Sequence, residues 1–336
     1  MSAPPIDAVV TWVDGADPAH AARLEAYLAQ DGGSARPASA NPTRFNDAGE
    51  IEYCIASLLR FAPWLRTIHV VTDRQVPPVV ARLAGTPFAG RVRVVDHAEV
   101  FAGFEAYLPT FNSRAISAML WRVPGLAEHF LYVNDDFVVV QPVQPEDFFR
   151  DGRVVLRGRW QRQSAHQPAR RLLDALRRWR GAEPSRAARL RVRNRTGQEN
   201  GARAAGFERD YLRLAHHPHP MRVSTLAAFF AEQPQRLLDN LRHRLRSADQ
   251  FNAESLAAHL ELARHDAIVD NRLRTLTLKP SEQWLPRLRR LTARADADAS
   301  HAFACVQSLE LAPAPARAHV LAWLDRRVGA PPSPPA

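Results

Sequence analysis

Short apolar runs alternate along this chain with stretches in which apolar positions recur every three or four residues. The first rhythm fits buried strands and the second fits helices packed on one face. Ile6 to Trp12 predicts a strand, followed by a turn at Asp14-Gly15. A helix is expected from Pro18 to Gln30, with Asp17 as its N-cap. Residues 31–43, rich in Gly, Ser, Pro and Ala, read as a mobile loop. Helix returns from Gly49 to Phe61, and strands are expected at Thr67–Thr72 and Arg91–Val95. A helix is expected at Ser113–Val123, then a strand from Phe130 to Val133. Alternating strand and helix predicts a mostly parallel sheet with covering helices.

Four of these strands end at Asp14, Asp73, Asp96 and Asp135. Ligands of open parallel sheets bind outside the carboxyl ends of the strands. Such an edge gathers carboxylates, although Asp also follows strands because it favours turns. Beyond Arg150 the pattern changes. Residues 170–195 are dense in Arg, offset only by Asp174 and Glu183. Leu172, Leu173, Leu176 and Trp179 have the spacing of an amphipathic helix there. Helices are expected to dominate 222–265, and the Pro-rich end from Ala330 is expected to be disordered. The organisation expected is an α/β core over 1–150, a mainly helical part over 151–330 that completes the site, and a tail over 331–336.

Composition narrows the class. Of 336 residues, 46% are hydrophobic, as in a globular protein. No apolar run is long enough to span a bilayer. The start lacks a charged, then apolar, leader, so a cytoplasmic location is expected. Cys54 and Cys305 stand far apart in apolar surroundings and suit buried thiols. The net charge is +10, and Lys279 is the single lysine. A GC-rich genome and a functional need account for the Arg excess equally well. The charge still favours anionic substrates, since Arg forks match phosphate. The basic middle also suits peripheral contact with the inner membrane surface. No helix-turn-helix, zinc-finger or RNP pattern is present, so nucleic acid is not an expected partner.

Four stretches carry chemistry. Phe130-Leu-Tyr-Val-Asn-Asp-Asp-Phe137 delivers Asn134, Asp135 and Asp136 to a strand exit. Adjacent carboxylates there suit a hard cation, which Mg²⁺ would share with substrate phosphates and water. Thr11-Trp-Val-Asp-Gly-Ala-Asp-Pro18 sets two carboxylates beside a helix N-terminus, where free amides suit phosphate; turn and cap chemistry accounts for it equally. Ala215-His-His-Pro-His-Pro220 cannot be regular helix and offers imidazoles as a base or ligand. Leu241-Arg-His-Arg-Leu-Arg-Ser-Ala-Asp-Gln250 reads as a helix whose Arg residues and His243 face either phosphate or solvent.

Taken in order, these stretches resemble the Stealth family. That family includes bacterial capsule hexose-1-phosphate transferases and the animal enzyme that tags lysosomal glycoproteins with N-acetylglucosamine-1-phosphate. Its first motif resembles Ile6 through Pro18. Its second resembles Arg44 through Glu50, then Ala62-Pro-Trp64, Ile68 through Asp73, Leu108 through Ser113, Pro124-Gly-Leu126 and Tyr132 through Asp136. Its third resembles Ala215 through Met221 and His243 through Ser247. The chain departs from the family at Ala56, where Arg is usual, at Ser117, where Glu is usual, and at Gln250, where a second acid is common. Its counterpart of the fourth motif, Cys305-Val-Gln-Ser308, lacks two polar residues.

The resemblance implies a glycosyltransferase-A-like fold: α/β, with a mostly parallel nucleotide-sugar-binding sheet and a helical C-terminal addition. It implies transfer of sugar-1-phosphate from a nucleoside-diphosphate sugar, UDP-linked, to a glycan hydroxyl in capsule or exopolysaccharide synthesis. On this view Asp135 and Asp136 hold Mg²⁺ or Mn²⁺, and Asp135 is also counted as catalytic. Asp14 and Asp17 help hold the donor, and Asn112 and Ser113 contact it. Arg246, seconded by Arg44 and His243, neutralises phosphoryl oxygens. His216 is the general base, with His219 as alternate. Two other readings stay open: a metal-dependent glycosyltransferase that releases nucleoside diphosphate, and a non-catalytic glycan- or nucleotide-binding relative.

Overall fold

The computed structural model describes residues 4–30, 40, 45, 48–167 and 194–329. The expected loop at 31–43 (Ala40 apart), Arg44, the Arg-dense stretch as far as Arg193 and the tail at 330–336 lie outside the described residues. In chain order the strands are β1 (Ile6–Thr11), β2 (Ile68–Thr72), β3 (Val92–Asp96), β4 (His129–Asn134), β5 (Phe137–Val139) and β6 (Phe149–Arg150). They continue with β7 (Arg153–Leu156), β8 (Gly158–Arg162), β9 (Asp210–Leu214), β10 (His219–Arg222), β11 (Ala267–Val269), β12 (Arg274–Leu278) and β13 (His301–Val306).

The central sheet runs β10-β4-β1-β2-β3. β1 to β4 are parallel, and β10 closes one edge antiparallel to β4. Parallel strands are covered on both faces, so their sequences read as unbroken apolar runs. β1 shows the division of labour. Ala8 and Val10 face a core with Ile51, Ile55 and Leu58 of the helix Glu50–Phe61. Val9 faces the other way, onto Val71, Phe130, Met119 and Phe229. Each fully buried Ile or Leu on such a face contributes about 1.5–3 kcal/mol.

A carboxylate sits inside this apolar sheet. Asp7 of β1 is fully buried. Its Oδ1 accepts from Arg66 Nε at 2.9 Å and from the Thr67 amide at 3.1 Å. Its Oδ2 accepts from Arg66 Nη2 at 2.5 Å and the Ala127 amide at 2.8 Å, with His69 Nε2 at 3.3 Å. One carboxylate thus joins β1, the start of β2 and the approach to β4. Burial alone would raise its pKa. The His69 and Arg66 hydrogen bonds and the Ala127 amide outweigh burial and hold it down at about 2.

The helix expected at Ser113–Val123 is shorter. It spans Ser113–Ser117, and a 3-10 turn at Leu120–Arg122 follows. Pro124 disfavours helical backbone at Val123. The helices expected at 222–265 are Val223–Glu232, Pro234–Leu241 and Ala253–Ala263. The segment from Arg242 to Asn252 is not helical, so Arg246 and His243 sit on a loop rather than a helix face. Strands accompany the C-terminal helices and stitch that part to the core. β10 joins the central sheet, and β13 lies between β12 and β5. No helix among the described residues is long and apolar enough to cross a membrane.

Replacing Asp7 with Ala should lower unfolding free energy by about 1–3 kcal/mol in urea titration, since it leaves the amides of Thr67 and Ala127 without their acceptor. The native carboxyl pKa is depressed. Its stabilisation is therefore present above the unfolded value of about 4 and lost as pH falls towards about 2. The wild type should lose about 2 kcal/mol over that window, and the Asp7→Ala protein should not show that part of the acid loss.

Candidate functional site

From β1 the chain steps to β2 and β3 on one side, while β4 pairs on the other. A crevice opens at the carboxyl edge where a parallel sheet divides in this way. Here it is a cleft of about 550 Å³. Ser113, Asp135, Asp136, His216, His219 and Arg246, all singled out from sequence, line it together.

Asp135 and Asp136 occupy the turn between β4 and β5. The turn is fixed from the far end of the chain. The Val306 amide donates to the Asp136 carbonyl at 2.9 Å, and Cys305 Sγ donates to Asp136 Oδ2 at 3.3 Å. Burial pushes the Asp136 carboxyl up to about 6, against the pull of the Cys305 thiol and the Arg246 charge. Burial and Asp136 push the Cys305 thiol well above its ordinary value, so it is a donor and not a thiolate. The Tyr132 hydroxyl donates to Asn134 Oδ1 at 2.8 Å.

The histidine segment leads into β10, which sets His219 opposite Tyr132 of β4. The Phe137 ring lies edge-on to His216 and His219, each at 6.0 Å. Burial lowers His216, with Arg213 and Lys279 adding to the effect. Burial, then His216, takes His219 down to about 3. A general base works best with a pKa near the operating pH, so His219 is the weaker base of the two. His217 is absent from the lining. It is buried, with Nδ1 3.0 Å from the Ala215 carbonyl and its ring against Phe303.

Arg246 reaches the cleft from a loop that Gln250 holds in shape. Gln250 Nε2 donates to the Asn240 carbonyl at 2.6 Å, and its Oε1 accepts from the Ser247 amide at 2.9 Å and from Asn112 Nδ2 at 2.8 Å. Asn112 Nδ2 also donates to the His243 carbonyl at 2.7 Å, and its Oδ1 accepts from the Arg114 amide at 3.1 Å. Asn112 is thus wholly committed to joining two segments and does not line the cleft. Asp14, Asp17 and His243 do not line it either. Asp14 Oδ1 accepts from the Ala16 amide at 2.8 Å. Asp17 Oδ1 caps its helix at the Ala19 amide at 2.9 Å, and its Oδ2 accepts from Gln75 Nε2 at 2.8 Å. Both first-motif carboxylates are occupied by turn and cap chemistry. Arg44 lies outside the described residues.

Sequence reasoning passed over other lining residues. Glu254 begins the helix Ala253–Ala263 and accepts from Asn252 Nδ2 at 2.8 Å. Burial raises its pKa, with Arg114 and Arg246 among the opposing influences. Nothing in sequence marked it, because an acid in a first helical turn reads as a dipole partner. Arg114 directly follows a quoted motif, and its Nη1 donates to the Ser247 carbonyl at 2.8 Å. Gly197 makes room for it, since a Cβ there would lie 2.7 Å from Arg114 Nη2 and 2.0 Å from Asn252 Oδ1. Asp73, one of the strand-ending acids, is paired to Arg23 Nη2 at 2.8 Å.

The fold and cleft define an α/β protein with a mostly parallel central sheet and a charged crevice at its carboxyl edge. Residues 4–32 match Stealth protein conserved region 1, and residues 44–156 match Stealth protein conserved region 2. Over these residues the chain is similar to Stealth proteins. It is 48% identical over 145 residues to the exopolysaccharide phosphotransferase SCO6023 of Streptomyces coelicolor, covering 43% of this chain and 23% of that one. It is 40% identical over 151 residues to the capsular polysaccharide phosphotransferase LcbA of Aeromonas hydrophila, covering 45% and 40%. The corresponding protein cps1A of Actinobacillus pleuropneumoniae is 34% identical over 145 residues, covering 43% and 38%. The matched region therefore spans less than half the length of each of these relatives.

Asn112→Ala should lower the unfolding free energy by about 1–3 kcal/mol, because the bonds to Gln250 and the His243 carbonyl are lost. A variant as stable as wild type would show that these bonds do not brace the Arg246 loop.

Proposed function

We propose that this protein transfers a sugar-1-phosphate from a nucleoside-diphosphate sugar, UDP-linked, to a glycan hydroxyl in the synthesis of a surface polysaccharide. The observation that carries the reading is the convergence of Asp135, Asp136, His216 and Arg246 in one cleft. The capsular and exopolysaccharide phosphotransferase names of the relatives support it. Phosphoryl transfer needs alignment and charge stabilisation more than covalent help. Arg246 supplies a fixed positive charge for the phosphoryl oxygens. His216, held neutral by burial, takes the proton of the attacking hydroxyl. The acceptor oxygen attacks the phosphorus next to the sugar, the phosphoanhydride bond breaks, and nucleoside monophosphate leaves. The bond from the anomeric carbon to its oxygen is untouched.

The acidic pair fits a divalent cation, Mg²⁺ or Mn²⁺, completed by substrate. Among the described residues no group of three or more His, Cys, Asp or Glu is placed to hold an ion. Asp135 and Asp136 would leave the remaining positions to diphosphate oxygens and water, which is how Mg²⁺ is usually held. The raised pKa of Asp136 reflects a buried carboxyl short of positive charge, which a cation would supply. When bound, the ion would neutralise charge on the diphosphate.

Purified protein with UDP-sugars, Mg²⁺ and glycan acceptors should release UMP in step with a new phosphodiester. UDP in its place would make the protein a glycosyltransferase. Asp135→Ala should cut turnover on the order of a thousandfold while the protein stays folded, as expected for loss of a principal electrostatic group. An active, folded Asp135→Ala protein would remove the cation from the scheme.

A further inference from the structure

The cleft has an end that the phosphate chemistry does not use. Along the sheet edge Thr11 of β1 pairs beside Asn134 of β4, Val71 of β2 beside Thr11, and Asp96 of β3 beside Thr72. Neighbouring strands lie about 4.8 Å apart, so the exits of β2 and β3 stand on the order of 10–15 Å from the acidic pair. Beside the loop that carries Arg246, where the Phe111 amide donates to the Arg244 carbonyl at 2.9 Å, the wall turns aromatic. His20 lies 5.6 Å from the Phe45 ring and 5.4 Å from the Phe111 ring, and Tyr27 backs Phe111 at 6.1 Å. His20, Phe45 and Phe111 all line the cleft. Gly15 seats Phe45. Its amide donates to the Phe45 carbonyl at 2.7 Å, and a Cβ on Gly15 would lie 2.6 Å from Phe45 Cβ.

Two polar side chains in this wall have unmet hydrogen-bonding capacity. Neither ring nitrogen of His20 has a partner, and neither does the hydroxyl of Thr110. Each residue is only 3% exposed, and both line the cleft. A buried donor or acceptor left unmade costs about 1–3 kcal/mol, and folded interiors keep few of them. Burial lowers the His20 pKa, so near neutrality its ring offers one donor and one acceptor. The Thr110 hydroxyl offers both. Flat rings beside paired donor and acceptor sites suit a planar heterocycle with a polar edge. A sugar would instead find amides and a carboxylate on another wall, at Asn194, Gln198, Asn252 and Glu254.

We propose that this aromatic end seats the nucleobase of the donor, with His20 and Thr110 reading its polar edge and the Phe45 and Phe111 rings packing against it. The inference rests on the reading above that the donor is a nucleotide sugar. It makes His20 and Thr110 determinants of which nucleotide is accepted, beside the groups at Asp135 and Arg246 that handle phosphate.

The test is calorimetric binding of UMP, CMP, AMP, GMP and inorganic pyrophosphate, with Mg²⁺, to the full chain. Wild type, His20→Phe and Thr110→Val are compared. Both substitutions conserve shape, and thermal unfolding of each checks that it folds; either variant alone decides the matter if the other does not. The wild type should favour one base by about tenfold or more, as expected when buried polar groups are paired by one edge and not another. Each variant should lose about tenfold in affinity for that nucleotide and most of the preference, with pyrophosphate binding unchanged. Variants that keep both affinity and preference would overturn the assignment, as would a wild type that binds all four nucleotides alike; both results leave the donor reading standing. A wild type that binds no nucleotide would overturn the assignment and the donor reading together.

Discussion

The Asp7 carboxylate is the polar constraint on which the sheet depends. A charge in the middle of an apolar parallel sheet is costly unless its oxygens are filled. Here Arg66, His69 and the amides of Thr67 and Ala127 fill them. Those donors come from the approach to β2 and the approach to β4. Satisfying one carboxylate therefore ties the strands on both sides of β1 to it. The opposite, carboxyl ends of β2, β1 and β4 form the rim of the cleft. Their alignment there follows from the same tie at the other end of the strands.

The rim is completed from far along the chain. β13 pairs with β5 in antiparallel register, Cys305 opposite Phe137. That pairing brings the Cys305 thiol and the Val306 amide onto Asp136. Gln307 and Ser308 then reach the cleft lining. The stretch Cys305-Val-Gln-Ser308 thus holds the acidic turn through its backbone and its thiol. Gln250 serves likewise as a brace. Its amide spans Asn240, Ser247 and Asn112, and so shapes the loop that carries Arg246. Glu254, in the first turn of the helix Ala253–Ala263, is the carboxylate that faces the cleft in this region.

Much of the core was legible because parallel strands buried on both faces cannot hide in sequence. The apolar runs at Ile6, Ile68 and Phe130 begin and end within a residue or two of β1, β2 and β4. The acidic turn after β4 and the non-helical histidine segment were equally plain, since carboxylates at a strand exit and prolines among histidines leave few local options. Asp14 and Asp17 are ambiguous because turn-forming and ligand-holding Asp residues look alike in sequence. Only the Ala16 and Ala19 amides and the Gln75 side chain show how they are used. Arg246 was assigned to a helix because apolar spacing continues through Leu245. The Gln250 brace holds that segment in a loop instead.

By itself the sequence determined the elements and the chemistry they carry: a parallel α/β core, an acidic pair at a strand exit, a histidine segment and an arginine-bearing segment, with Stealth regions 1 and 2 written in order. Those follow from local patterning and from residue chemistry, which act over a few positions. The tertiary structure alone decided which of these groups share a cleft. Hydrogen bonds spanning more than a hundred residues, such as those from Asn112 to Gln250 and from Cys305 to Asp136, have no local signature. The same holds for His20, Thr110 and Glu254. Each is ordinary in its own stretch, and only the packing of the chain around the sheet edge leaves them buried, facing one space, with hydrogen bonds or charge still to be met.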